Sequence, residues 1–255
     1  CDIAGIRAEK VSGYGRGFSY STSKTKAENP KKSNHAWNAV EVNGTWYLVD
    51  ATWDAGHVDT RRFEKDYSTG YLFLEPGDFI HTHFPEDPSW QLVDPPLSSE
   101  QFTALPYLRG EFFSYGLRLA DPIQRVTRAG AGAAFRARLP KGTSLSSRLT
   151  GADGQVHDRR DLITLSGEEA TVHLRFPRPG TYEVQLFVKD SNDPGALSYA
   201  AQFLFEADAG SSERFPTTYG IYSELRAELI APLVRPHAGA GPVEFRIRVP
   251  GVHAV

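Results

Sequence analysis

The dipeptide Asn43-Gly44 lies between two alternating apolar runs, His35-Ala36-Trp37-Asn38-Ala39-Val40-Glu41-Val42 and Thr45-Trp46-Tyr47-Leu48-Val49-Asp50. Both turn residues tolerate positive φ, so the pattern predicts a β-hairpin closed by a two-residue type I′ turn. Such a turn fixes the register, and strand alternation then fixes which side chains share a face. Val42 is set opposite Thr45, Val40 opposite Tyr47, and Trp37 opposite Asp50. His35 precedes Trp37 by two residues, which makes it a diagonal neighbour of Asp50 on the same face, ~7–8 Å away at the backbone. An imidazole and a carboxylate so placed can hydrogen-bond. The same reading puts the indoles of Trp37 and Trp46 beside the pair, as candidate substrate-binding groups.

A histidine oriented by a carboxylate is the base half of a nucleophilic triad: the carboxylate fixes the tautomer, and the free ring nitrogen takes a proton from a thiol or hydroxyl. A His–Asp pair can equally do no more than tie two strands together. The surrounding residues extend the pattern beyond a pair. His35, Trp37, Val40, Gly44, Trp46, Asp50, Thr52 and Trp53 follow the form H-x-W-x-x-V, then G-x-W-x-x-x-D-x-T-W. This stretch resembles the transglutaminase-like superfamily of papain-like fold. Three further segments resemble its kyphoscoliosis-peptidase branch: Ala4-Gly5-Ile6, Val11-Ser12-Gly13-Tyr14-Gly15-Arg16-Gly17, and His83-Phe84-Pro85-Glu86-Asp87-Pro88 leading to Trp90-Gln91-Leu92. The resemblance implies a cysteine peptidase or acyl-transferase triad with His35 as catalytic base and Asp50 as its orienting acid.

One departure matters for mechanism. In that family the nucleophilic cysteine opens a helix that ends at the Ala-Gly-Ile turn. Cys1 is the single cysteine, and it sits only four residues before Gly5, where it reads as the last turn of a helix closed by Gly5. The negative end of a helix raises a thiol pKa, whereas the opening end lowers it. The expected nucleophile is therefore about three helical turns upstream, outside this chain, and the chain as written is expected to be inactive. With no methionine and no leader, it reads as a fragment cut at both ends. A processed lipoprotein beginning at Cys1 is the competing account.

Composition narrows the alternatives. Lys and Arg number 28 and Asp and Glu 31, a balance that argues against a nucleic-acid partner. No apolar run is long enough to span a membrane, and one cysteine provides no disulfide framework. Gly13 to Gly17 lacks the Lys-Ser/Thr of a phosphate-binding loop, and Lys24, Lys26, Lys31 and Lys32 read as a solvated loop. His81-x-His83 with His57, Asp54 and Asp59 has no four-ligand spacing, so neither metal nor cofactor is expected. Trp53, Tyr71, Phe73 and Trp90 read as core. Asn34 either shapes the site or serves a turn.

Beyond about residue 112 the sequence turns all-β. Phe135 to Leu139 alternates, Asp153-Gly154 marks a turn, and Tyr182, Val184, Leu186 and Val188 share a face. Leu119, Pro122, Phe135, Arg136, Arg138 and Pro140 recur 110 positions later as Leu229, Pro232, Phe245, Arg246, Arg248 and Pro250. The expected architecture is α+β: a papain-like, transglutaminase-like domain over 1–112, truncated at its N-terminus. An immunoglobulin-like β-sandwich over 113–208 follows, then the start of a second sandwich over 209–255, expected to be poorly ordered alone. The function expected of the parent is peptidase or acyl-transferase chemistry on protein amide bonds. An inactive scaffold that binds cytoskeletal partners is the alternative. Partners are thus protein substrates or cytoskeletal proteins, in the cytoplasm or on the cytoskeleton.

Overall fold

The computed structural model describes residues 2–17, 20, 28–59, 62–193, 195–234 and 241–251. The chain divides into two compact units, Cys1–Ser114 and Tyr115–Val255.

The first unit is built on an antiparallel sheet. Its elements run β1 (Ala8–Gly15), β2 (His35–Val42), β3 (Thr45–Val49), α1 (Ala51–Asp54), β4 (Gly56–Asp59), β5 (Arg62–Lys65), β6 (Leu72–Leu74), α2 (Pro76–Phe79), β7 (His83–Pro85), α3 (Ser99–Ala104), β8 (Tyr107–Leu108) and α4 (Gly110–Ser114). The main sheet has the order β6-β3-β2-β1-β7, and β4 and β5 form a separate hairpin. Asn43 and Gly44 have φ of 54° and 80°, the type I′ signature, and the pairs Val42–Thr45, Val40–Tyr47 and Asn38–Val49 follow from it.

Gly13 and Gly15 lie not in a loop but at the end of a central strand, β1, held between β2 and β7. Gly13 pairs with His35 on one side and Pro85 on the other, and Gly15 pairs with His83. A Cβ on Gly13 would stand 2.4 Å from the Phe84 carbonyl oxygen and 2.6 Å from Cη2 of Trp37. Glycine is thus demanded by close packing.

The two faces of the sheet carry separate cores. Val11, Trp37, Ala39 and Leu48 pack with Tyr71 and Phe79 on one side, and Trp46, Trp53 and Trp90 lie against this cluster. Phe84, Ile80 and Phe102 pack with Tyr14 on the other. Phe73 is not core: it is 45 % exposed at φ 56° and lies against Tyr47.

Helices are brief, the longest described α-helix being the six residues of α3. α3 carries the full capping box of Ser98 and Gln101 and stops before Pro106. The chain is therefore mostly β, with less helix than an α+β reading implies, because Gly and Pro punctuate each helical stretch within two turns. Asp2–Ala4 forms a single 3₁₀ turn, followed by Gly5 at φ 66°. Cys1, Lys24 and Lys26 lie outside the described residues, and Lys31 and Lys32 are exposed.

The second unit contains β9 (Arg118–Leu119), β10 (Val126–Ala129), β11 (Gly132–Arg138), β12 (Thr143–Gly151), β13 (Asp161–Ser166), β14 (Glu169–Arg175), β15 (Gly180–Asp190) and β16 (Ser198–Ala207). Two sheets, β10-β16-β15-β12 and β13-β14-β11-β9, supply the layers of a sandwich. Tyr182, Val184, Leu186 and Val188 are all buried. The Tyr182 hydroxyl donates to the Arg178 carbonyl at 2.8 Å, a bond from the start of a strand to the chain four residues upstream, as in the tyrosine corner of immunoglobulin-like domains. β10 runs parallel to β16, against the otherwise antiparallel pairing.

α5 (Gly220–Glu224), β17 (Glu228–Ala231) and β18 (Arg246–Arg248) complete the elements. They repeat α4, β9 and β11 at the sequence offset of 110: Arg118 pairs with Arg138, and Glu228 pairs with Arg248. Arg226 takes the left-handed conformation of Gly116 in the first copy. This segment, expected to be poorly ordered alone, packs against the first sandwich. Phe215 and Leu229 bury against Leu162 of β13, and the Arg226 guanidinium donates to the carbonyls of Leu139 and Gly167. Apolar burial against a finished sandwich supplies the order that an unclosed sandwich lacks.

Candidate active site

Asp50 follows β3 and is the N-cap of α1. Its Oδ1 accepts from the backbone N–H groups of Thr52 at 2.9 Å and Trp53 at 3.1 Å. Those two bonds orient the carboxylate and leave Oδ2 turned toward β2. There it meets Nε2 of His35 at 2.5 Å. The hairpin register thus produces the predicted His35–Asp50 pair. Asp50 is 1 % exposed, whereas the His35 side chain retains 17 %. Nδ1 of His35 has no hydrogen-bond partner among the described residues.

A second histidine shares the carboxylate. His83, the first residue of β7, places Nε2 3.0 Å from the same Oδ2. Its other nitrogen, Nδ1, lies 2.9 Å from the Thr82 hydroxyl. His83 is enclosed by Phe79, Trp53, Trp37 and Tyr71, with ring centroids at 4.0, 4.4, 4.9 and 5.4 Å. That burial lowers its pKa to about 4, overriding the hydrogen bond and charge of Asp50. His83 is therefore neutral at pH 7, and with Nε2–H donated to Asp50 its Nδ1 accepts from Thr82. Burial by itself would raise the Asp50 carboxyl. Hydrogen bonds from His35 and His83 outweigh it and hold the group well below the ordinary carboxylate range.

Backbone interactions assemble this cluster from distant sequence. The Asn34 side chain accepts from Gly15 N–H at 2.7 Å and donates to the Gly15 carbonyl at 3.2 Å, clamping the end of β1. Gly15 lies against His35, whose Cβ would be 3.0 Å from a methyl there. Arg16, the next residue, is fully buried. It forms a two-pronged pair with Glu28 and donates to the carbonyls of His81, Phe102 and Leu105. This anchors β1 against β7 and so fixes the spacing between the two histidines.

The expected aromatic neighbours are redistributed. Trp37 lies beneath the site but is 3 % exposed, so it forms the floor rather than a contact surface. Trp46 is not beside the pair. It is paired with Glu41, six positions along β2 from His35, which is ~20 Å at a rise of ~3.3 Å per residue. There it packs edge-on against Trp90 at 5.1 Å and beneath Arg7. The alternation rule put Trp46 on the correct face but the wrong end. Trp53, read from the sequence as core, takes the place expected of Trp46, stacked on His35 at 5.0 Å and 19°. Beyond Trp53 opens a cavity of about 230 Å³ lined by Trp53, Tyr71, Phe63, Tyr107, Arg109 and Glu111 among others.

His81 lies in the turn before β7 and takes no part in the cluster: its Nδ1 lies 3.0 Å from the Pro106 carbonyl. Asp54 accepts from Ser68 and from Tyr71 N–H. The side chains of His57 and Asp59 lie outside the described residues. His35, Asp50 and His83 do bring three ligand-type atoms within 4.8 Å of one another. The 2.5 Å separation of His35 Nε2 from Oδ2 is a hydrogen-bond distance. An ion ~2.05 Å from both atoms would be forced to an angle of about 75°, far from the tetrahedral preference of zinc. The trio is geometrically a hydrogen-bond relay.

Residues 99–217 match the KY-like, immunoglobulin-like domain family. Over 198 residues, 76 % of this chain, the sequence is 34 % identical to kyphoscoliosis peptidase of Mus musculus. It is 32 % identical to hillarin of Drosophila melanogaster over 48 % of this chain and 16 % of that protein. Identity is 28 % over 57 % of this chain and 22 % of the Lim and transglutaminase domain protein ltd-1 of Caenorhabditis elegans. The alignment spans 28 % of the length of the mouse relative. The His35–Asp50 hairpin, the segment running through His83 and the immunoglobulin-like sandwich occur here in one chain related to those proteins, and the chain belongs to the kyphoscoliosis peptidase-like branch of the transglutaminase-like superfamily.

Proposed function

We propose that this chain carries the base and orienting acid of a cysteine peptidase or acyl-transferase of papain-like design, acting on amide bonds of proteins. The observation that carries the reading is the 2.5 Å bond between His35 and a buried Asp50, with the other nitrogen of His35 unpartnered among the described residues and its ring partly accessible. Asp50 holds the proton on Nε2, so Nδ1 is the basic atom. A thiol supplied by a segment outside this chain gives its proton to Nδ1, and the thiolate attacks the acyl carbon. The tetrahedral intermediate expels the amine, which takes the proton from Nδ1, leaving a thioester. Water then releases the acid, or a second amine takes the acyl group. Trp53 covers one face of the base, and the cavity beside it offers apolar walls with Arg109 and Glu111 to a substrate side chain. A nucleophilic thiol must stay reduced, which favours a cytoplasmic setting.

The structural work of Asp50 supports a second reading. It caps α1 and joins two strands, so a scaffold that docks protein partners through its sandwich would also use this carboxylate. The two readings separate in one experiment. The full-length protein containing this chain is incubated with an unfolded protein substrate, with and without a primary-amine probe, alongside its His35→Ala variant. Peptide release or amine incorporation that disappears in the variant supports the enzyme. No turnover by either protein, with unchanged partner binding, supports the scaffold.

A further inference from the structure

We propose that His83 is a positioning residue of this site, a fourth member that holds the Asp50 carboxylate through Nε2 while the Thr82 hydroxyl engages its Nδ1. The inference rests on the proposed role of His35 and deepens it.

Asp50 offers two oxygens. Oδ1 is occupied by Thr52 and Trp53 N–H, so Oδ2 alone faces β2 and β7. His35 reaches it from one side and His83 from the other, at 2.5 and 3.0 Å. The His35 side chain stays 17 % exposed, with Trp53 stacked on one face. His83 is 1 % exposed, stacked on Phe79 at 24°, and closed in by Trp53, Trp37 and Tyr71. It is thus the more enclosed of the two donors on Oδ2, and holds the carboxylate in place for the partly exposed ring.

The proton order follows from the donors. Asp50 only accepts, so His83 Nε2 carries hydrogen and Nδ1 does not. The Thr82 hydroxyl therefore donates to Nδ1, at 2.9 Å, in preference to the Phe79 carbonyl at 3.3 Å. Among the described residues, the elements packed on His83 bring it no other charged group. On β1 its neighbour is Gly15, and α2 contributes the apolar ring of Phe79. His35 and Asp50 are the titratable groups that face it; Tyr71 packs its ring edge-on.

Two variants test the proposal. His83→Phe keeps the aromatic slot filled and removes both nitrogens; His83→Gln keeps an N–H donor toward Oδ2. In the 255-residue chain, nitrogen-15 NMR of the parent is expected to show His83 with hydrogen on Nε2 only. Carbon-13 NMR of the Asp50 carboxyl is expected to show its titration moving up in His83→Phe and returning in His83→Gln. In the full-length protein, His83→Phe is expected to lower kcat/KM about 100-fold, the scale of a misplaced catalytic group, with Gln recovering most of it. A parent His83 protonated on Nδ1, or an Asp50 titration unmoved by His83→Phe, overturns the proposal. That first measurement needs no variant, so a variant that fails to fold does not shelter the idea. If both NMR results hold but His35→Ala leaves turnover intact, the positioning of Asp50 stands and the enzymatic reading falls.

Discussion

Replacing Asp50 tests the relay most directly, because alanine and asparagine remove different things. Alanine deletes the cap on Thr52 and Trp53, a loss of about 1 kcal/mol. It also strands one nitrogen each of His35 and the fully buried His83, at about 1–3 kcal/mol apiece, less for the partly exposed His35. The expected destabilisation is about 3–5 kcal/mol. Asparagine keeps the cap through its oxygen and turns an NH₂ toward both Nε2 atoms. Its two hydrogens then satisfy both rings, provided each histidine moves its proton to Nδ1. His83 can do so, since Thr82 is free to accept from Nδ1 and donate to Phe79. Two charge-assisted bonds become neutral ones, so the expected loss is about 1–2 kcal/mol. All four tryptophans lie in the first unit, and their fluorescence in urea reports its unfolding separately. Activity does not follow this ranking. In the full-length protein, with Nδ1 of His35 already protonated, the mildly destabilising Asp50→Asn is expected to reduce kcat on the order of 10⁴-fold, as for a triad base in the wrong tautomer. Equal destabilisation by Asn and Ala, or histidines in Asp50→Asn that retain hydrogen on Nε2, would refute this account.

Gly13→Ala places a methyl 2.4 Å from a backbone oxygen that cannot yield, and a loss of at least ~2 kcal/mol is expected in the same urea assay. Gly15→Ala meets the His35 side chain at 3.0 Å, which can shift, so it is expected to cost less stability while displacing His35 from Asp50. Equal stability losses would contradict that contrast. Acid should weaken the first unit over a defined window. The folded pKa of His83 is lowered from 6.5 to about 4, so its contribution is complete above pH 6.5 and is lost as pH falls toward 4. The loss at the bottom of the window is on the order of 3 kcal/mol. His81, also buried and lowered to about 4, adds a similar slope. Asp50 acts in the same direction at still lower pH. Urea midpoints from pH 7.5 to 4 should therefore fall steadily, and about half as steeply in His83→Gln; an unchanged slope in that variant would remove His83 from the explanation.

Local chemistry wrote much of this protein into its sequence. Asn43-Gly44 specified a turn, the turn specified a register, and the register placed His35 across from Asp50, because each step involves neighbours whose geometry a short loop constrains. The buried face of β15 was legible for the same reason, since it depends on residues within one element. Resemblance to a family also pointed to the His83 segment, without giving that histidine a role. What the sequence left open was decided by packing between distant elements. His83 reaches Asp50 because β1 lies between β2 and β7, and β1 fits there because Gly13 presents no side chain to Phe84 and Trp37. Trp46 and Trp53 exchanged their expected positions because alternation gives the face of a residue but not which end of the sheet the chemistry occupies. The segment after residue 208 found a core on β13, a contact for which no periodicity in its own residues could speak. Pairwise registers are local and readable; the convergence of two histidines on one carboxylate oxygen is a property of the closed tertiary structure, where burial and steric fit select one arrangement among many compatible with the same strands.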